Sequence, residues 1–317
     1  MKILLSCPSK TFLLGEYLVL NDGSAMTLNT APRFELTVNT RGEGMVSGIA
    51  PQSPAGQWIR QNKLVFANVD IDFMDPHMGA GGFGASSAQY LLVNIVTQVL
   101  KSPGKNEDFN IEQIWRSYRQ LEAVSAEGLR PSGADVVGQY MGGLCGVQTV
   151  PFEAKSFRWP FEDFDVVLVP TGKKMATHEH LRGLKRVNTE ELEVIYARAM
   201  ETMAAGDAPA FFDSINDYHA ELLEMGFVAE STQVIVTTLL SHPFVRAAKG
   251  CGAMGSDVVA IFIAKESREV LNKTLTELGL KIVSSVELLD RGFEIRIDES
   301  DDSTTTIRNK KQNESLT

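Results

Sequence analysis

Residues 79–88 read Gly-Ala-Gly-Gly-Phe-Gly-Ala-Ser-Ser-Ala and run straight into Gln89-Tyr-Leu-Leu-Val-Asn-Ile-Val-Thr-Gln-Val-Leu100. A glycine-rich segment therefore opens onto an amphipathic helix, in which Ala88, Leu91, Leu92, Ile95, Val96 and Val99 keep helical spacing. Glycine allows the backbone to come close to a bulky anion with its amides turned inward. The first turn of a helix adds unpaired N–H groups and the positive end of the dipole. Ser86 and Ser87 stand at the junction, where a hydroxyl caps the helix or reaches a phosphate-bound Mg²⁺. The segment predicts a cradle for a nucleotide phosphate.

Which nucleotide is a separate question. Gly79, Gly81 and Gly84 match the GxGxxG pattern of dinucleotide-binding folds. The preceding apolar run ends several residues earlier, at Phe73, and no acidic residue is well placed to hold a ribose. No glycine-rich stretch ends in Gly-Lys-Ser/Thr, which excludes a P-loop.

The chain has 317 residues, 44% of them hydrophobic and 22% charged, as expected of a globular protein with a sizeable core. A net charge of −10 argues against a nucleic-acid partner, since the nearest basic run, Lys173-Lys174 to Lys185-Arg186, is interrupted. Cys7, Cys145 and Cys251 are far apart, which fits a reducing compartment and not a zinc site. The apolar run at Met1–Leu5 is too short for a signal peptide, and no stretch is long enough to span a membrane. A cytoplasmic protein acting on a small molecule is expected.

Short apolar or alternating runs at Ile3–Leu5, Thr11–Leu14, Tyr17–Leu20, Arg33–Val38 and Leu64–Phe73 predict a β-rich start. Helices are predicted from Ala88 and over about Ile111 to Ala126. On the second, Glu122 projects into the apolar stripe, so it needs a cationic partner or a metal. Beyond residue 150 the pattern gives a strand at Asp165–Val169 and helices near 189–205, 208–225 and 230–241. A strand at Val258–Ile263, a helix at Ser267–Leu278 and strands at Lys281–Glu287 and Phe293–Ile297 follow. The divisions expected are 1–150, 151–300 and a polar tail at 301–317.

Three further clusters carry polar chemistry. Lys249-Gly-Cys-Gly-Ala-Met-Gly-Ser-Asp257 precedes a strongly apolar strand, and Arg130-Pro-Ser-Gly-Ala-Asp135 precedes Gly142-Gly143. Pro8-Ser-Lys10 and Gly15-Glu-Tyr17 place a lysine and a carboxylate close to predicted turns. Taken singly, these are also a β-turn, a helix cap and surface charges.

Together, in this order, the segments resemble the GHMP kinases, the family of galactokinase, homoserine kinase, mevalonate kinase and phosphomevalonate kinase. Ser6–Leu20 is similar to the N-terminal family motif, Gly82–Ala88 to the central phosphate motif, and Lys249–Asp257 to the C-terminal glycine motif. Gly15-Glu16-Tyr17, Ser132-Gly-Ala-Asp135, and Thr171-Gly172 followed by Ala176-Thr177 resemble the mevalonate and phosphomevalonate kinase branch. The chain departs from the pattern at Ser9, Ala85, Met254 and Ser256, where Ser9, Met254 and Ser256 replace glycines and Ala85 a serine.

The resemblance implies an α+β, two-domain fold, with an N-terminal ribosomal-protein-S5-like β/α domain and a C-terminal ferredoxin-like domain. It implies phosphoryl transfer from ATP, with Mg²⁺, to a hydroxyl or phosphate of mevalonate or phosphomevalonate. Gly81, Gly82, Gly84, Ala85, Ser86, Ser87 and Gly252 would then hold the nucleotide, with Ser86 and Glu122 on the metal. Asp135 would orient or deprotonate the acceptor, and Lys10 would keep Asp135 ionised. Glu16, Tyr17, Ser132, Gly133 and Thr177 would bind the acceptor, with Arg33, Arg130, Lys173, Lys174, His178 and Arg182 as candidate partners for its anionic groups. The alternatives are a sugar or sugar-phosphate kinase of the same family, a catalytically silent sensor on the same fold and, outside the family, an NAD-dependent oxidoreductase.

Overall fold

Strands β1 (Lys2–Leu14) and β2 (Ser24–Asn39) pair antiparallel along most of their length and form the centre of the first sheet. The sequence splits β1 into separate apolar runs because Ser6–Lys10 interrupts them. The strand continues through this polar stretch because its buried groups find partners: the Ser9 hydroxyl donates to the Pro32 carbonyl at 2.6 Å. The pairing shifts register between Pro8 and Ser9, the position of a β-bulge. Tyr17–Leu20 is not a strand, and Leu18–Asn21 forms a 3₁₀ turn.

Strands β3 (Val46–Ser47), β4 (Asp70–Met74), β5 (Gly143–Gln148) and β6 (Glu153–Phe157) extend this sheet. Only the last part of the expected Leu64–Phe73 strand forms. A second sheet has the order β10-β7-β9-β8, from β7 (Phe164–Pro170), β8 (Val245–Cys251), β9 (Val258–Ala264) and β10 (Ser284–Ser285). The chain then returns to the first sheet, where β11 (Glu294–Asp298) pairs with β1 and β12 (Thr304–Arg308) pairs with β11.

Three sequence expectations change here. Sheet membership does not follow a boundary at residue 150, because β6 and β11 belong to the first sheet. Thr304–Arg308 is not solvated tail. Its three consecutive threonines give no apolar signal, yet the strand gains its backbone hydrogen bonds by pairing with β11. The expected strand at Lys281–Glu287 shrinks to Ser284–Ser285 and a 3₁₀ turn at Val286–Leu288.

The protein is described from a computed structural model covering residues 1–102, 109–123, 131–172, 187–255, 257–298 and 304–308. Helices α1 (Pro54–Gln61), α2 (Ala85–Lys101), α3 (Ile111–Ala123) and α4 (Ala134–Met141) accompany the first sheet. Helices α5 (Glu190–Ala205), α6 (Ala208–Glu224), α7 (Glu230–Leu240) and α8 (Arg268–Glu277) accompany the second. Strand β9 shows why its sequence is apolar throughout. Val258, Ala260 and Phe262 enter the main core, while Val259, Ile261 and Ile263 pack with Leu239, Leu271 and Leu275 on the other face. The architecture is α+β with two sheets.

Candidate active site

The glycine segment lies between β4 and α2 and is held at both ends. The Asp75 carboxylate accepts from the N–H groups of His77 and Gly79, both at 2.9 Å. At the other end the Lys10 N–H donates to the Phe83 carbonyl at 2.8 Å, and Gln139 Nε2 donates to the Gly84 carbonyl at 3.1 Å. Gly84 has φ +84° as the residue preceding α2. A Cβ there would sit 3.0–3.1 Å from Gln139 Nε2, Lys10 Cε and Ser87 Oγ. Only glycine supplies both that backbone and that space.

Ser87 is buried and donates to the Gly84 carbonyl at 2.9 Å, so its hydroxyl is used within the helix start. Ser86 is exposed and free to meet a ligand. Gly81, Gly82 and Ala85 are half-buried around the same helix end.

The C-terminal glycine motif reaches this loop. A Cβ on Gly82 would lie 2.6 Å from Val258 Cγ2 and 2.8 Å from Asp257 Cβ, so the first loop packs on the start of β9. Gly252, at φ +91°, would place a Cβ 2.6 Å from Asp257 Oδ2. The two glycine clusters therefore converge, with Asp257 between them.

Lys10 is only 7% exposed, with its ammonium 4.4 Å from the centre of the Phe12 ring. It pairs with no carboxylate among the described residues, Asp135 included. The expected pairing of Lys10 with Asp135 is therefore not formed. Asp135 stands in the first turn of α4, half-exposed, with Oδ1 accepting from the Val136 N–H at 3.1 Å. Gln139, one helical turn later on the same face, donates to the Pro8 and Gly84 carbonyls. Asp135 thus lies on the side of α4 that faces the Lys10 strand and the start of α2. Gln139 was missed in the sequence, although its i,i+4 spacing from Asp135 was the available signal.

Ser132 and Gly133 build the start of α4. The Trp115 indole N–H donates to the Ser132 carbonyl at 2.7 Å, and the Ala134 N–H donates to Ser132 Oγ at 3.3 Å. Gly133 adopts φ +72° under the Trp115 ring.

Other candidates are used elsewhere. Glu16 forms an ion pair with the fully buried Lys249, and Tyr17 stacks on Phe227 with ring centres 4.4 Å apart. Burial raises the Tyr17 phenol well above its ordinary pKa, with the Glu16 charge adding to the effect. These contacts link the turn after β1 to β8 and to the segment between α6 and α7. Arg33 is not available to an anionic substrate, because it donates to Ser6, Asp290, Arg291 and Gly292. Thr177, Arg130, Lys173, Lys174, His178 and Arg182 lie outside the described residues, as does the side chain of Glu122. Among the described residues no cluster of three or more His, Cys, Asp or Glu forms a metal site.

The structure of Streptococcus pneumoniae phosphomevalonate kinase in complex with phosphomevalonate and AMPPNP aligns with 90% of this chain and 99% of its own, with TM-score 0.72 and 13% identity. Lactococcus lactis galactokinase complexed with galactose aligns over 92% and 94%, with TM-score 0.68 and 13% identity. L. major mevalonate kinase in complex with R-mevalonate aligns over 90% and 95%, with TM-score 0.65 and 16% identity. The chain has the GHMP kinase fold. No family model matches its sequence, and no curated protein does.

The GHMP kinase fold removes the dinucleotide reading of Gly79, Gly81 and Gly84. A dinucleotide fingerprint requires parallel βαβ units. Here β4 pairs antiparallel with β2, and among the described strands only the short β3–β4 pair is parallel. No helix among the described residues is long and apolar enough to cross a membrane.

Proposed function

We propose that the chain transfers the γ-phosphoryl group of ATP to an oxygen of a small molecule in the cytoplasm, with mevalonate or phosphomevalonate as the acceptor, in isoprenoid precursor synthesis. The observation that carries this reading is Lys10, an ammonium in the protein interior with no carboxylate partner among the described residues. An uncompensated buried cation is costly, and Lys10 borders the glycine loop and the positive end of α2, where a phosphate would neutralise it. The backbone supports the same reading, since the missing side chains of Gly82 and Gly84 let the loop pack directly on the start of β9 and on Lys10, Gln139 and Ser87.

In this reading the first-turn amides of α2 and the loop from Gly81 hold the triphosphate, and Gly252 shapes the opposite wall. Ser86 is exposed at the helix start to meet Mg²⁺, with Glu122 as its second protein ligand. Bound Mg²⁺ would offset the negative charge of the phosphates. Asp135 accepts the proton of the acceptor hydroxyl, or orients the acceptor phosphate, while Lys10 stabilises charge on the group in transfer. Ser132, Gly133 and Thr177 border the acceptor. The mevalonate branch is favoured by Ser132-Gly-Ala-Asp135.

An ATP-consumption screen against mevalonate, phosphomevalonate, homoserine and several sugars tests the reading. Turnover with a sugar alone would remove the isoprenoid acceptor. Asp135→Asn should lower turnover by about 10²–10⁴-fold while ATP affinity persists, and wild-type-like turnover in that variant would remove the mechanism.

A further inference from the structure

Two consecutive residues of β1 hold the base of the glycine loop. Lys10 does so through its main chain, by the bond to the Phe83 carbonyl. Ser9 does so through its side chain, with Oγ 2.6 Å from His77 Nε2. The His77 and Phe83 rings then stack face to face, 4.0 Å between centres and 9° from parallel. His77 also tilts against Phe34, while Phe83 is buried. Between these rings stand Met78, Gly79, Ala80, Gly81 and Gly82, the tip that approaches the phosphates in the reading above. Met78 is 94% exposed, with φ +51°, while Ala80 packs against the core and Gly82 against the start of β9.

A serine 2.6 Å from an imidazole can suggest a nucleophile and its base, but the proton positions exclude that here. Ser9 is fully buried, and its single hydroxyl proton is committed to the Pro32 carbonyl, which can only accept. The bond to His77 must therefore be donated by the imidazole Nε2–H. Burial lowers the His77 pKa, and the nearby Asp75 charge only partly opposes this. Glycine, the residue of the resembled family motif at this position, has no side-chain oxygen with which to accept the bond.

We propose that His77 is a positioning residue for the phosphate-holding loop. Its bond to Ser9 and its stack on Phe83 fix the 78–82 tip against the strand that carries Lys10, so that nucleotide affinity depends on the Ser9–His77 bond. The inference rests on the kinase reading for its ligand, but the clamp itself is a property of the free protein.

The test measures ATP affinity and steady-state kinetics for the wild type, Ser9→Ala, His77→Phe, His77→Gln and the Ser9→Ala/His77→Phe pair. His77→Phe keeps a flat ring on Phe83 and loses the donor; His77→Gln keeps a donor and loses the ring. Each single loss of the bond should weaken ATP binding about fivefold to tenfold, with the change falling on KM for ATP more than on kcat. The double variant should be no worse than either single one, and Gln should recover part of the loss. Additive effects, or unchanged ATP affinity in both Ser9→Ala and His77→Phe, would overturn the proposal.

Amide hydrogen exchange of residues 78–82 without nucleotide separates the two inferences. Faster exchange in Ser9→Ala and His77→Phe supports the clamp even if the wild type fails to bind ATP, in which case the kinase reading alone falls. Should His77→Phe fail to fold, Ser9→Ala and His77→Gln carry the same comparison.

Discussion

Gly84 shows how much one residue position can decide. Its left-handed backbone starts α2, and its missing side chain leaves room for Lys10, Gln139 and Ser87 to converge. Gly84→Ala should cost roughly 1–2 kcal/mol from the backbone alone and should also weaken ATP binding by crowding the three side chains. Gly206 provides the control, because it has φ +71° with open space around it. Gly206→Ala should show a similar loss in urea unfolding and no change in KM for ATP. Equal effects of the two variants on KM would show that crowding at Gly84 does not matter.

Much at this scale was legible in the sequence. The glycine segment opening onto α2 follows from residue type and helical spacing, whereas the part given to Asp135 came from the family resemblance. The roles of Glu16, Tyr17 and Arg33 were not legible, because a charged or aromatic residue near a turn looks the same whether it meets a ligand or a partner more than two hundred residues away. Lys249 lies 233 residues from Glu16 in the chain.

At the scale of elements, that ion pair connects the turn after β1 to the end of β8. Lys249 also donates to its neighbour Gly250 at 2.9 Å and sits 5.6 Å from the centre of the Tyr218 ring, whose hydroxyl receives the Gly15 N–H at 3.1 Å. Both charges are out of water, so removing one strands the other. Lys249→Met should cost about 3–5 kcal/mol, seen as a lower urea midpoint. A Glu16→Leu/Lys249→Met pair should recover much of that loss. If the single variant is as stable as the wild type, the pair does not hold the two sheets together. Helices were the most legible elements, since α5, α6, α7 and α8 all form within two residues of their expected bounds. Short strands were the least legible, because β10 depends on a partner far away in sequence and both β10 and β12 carry little apolar pattern.

Across the whole molecule, the join between the sheets contains a titratable group. His219 is buried beside Lys249, and its Nδ1 has no hydrogen-bond partner among the described residues. Burial, reinforced by the Lys249 charge, pushes its pKa down to about 4 from 6.5. The folded state therefore refuses a proton that the unfolded chain accepts below about pH 6.5. Stability from this group is present above that pH and is lost as pH falls towards 4. Between pH 7 and pH 5 the wild type should lose about 2 kcal/mol more unfolding free energy than His219→Gln. Parallel urea titrations at the two pH values check this, and equal slopes would show that His219 is not the group responsible.

The return of the chain to its starting sheet has a further consequence, for synthesis. Strand β1 has β2 on one side, but its other edge stays open until β11 arrives. Arg33 likewise waits for Asp290, Arg291 and Gly292 before its guanidinium is fully bonded. At common translation speeds the intervening stretch takes roughly ten seconds to a minute to make. For that time the nascent chain presents an unpaired strand beside a partly formed core, a place where another extended segment can add. Only when β11 is made can the first sheet close over that edge.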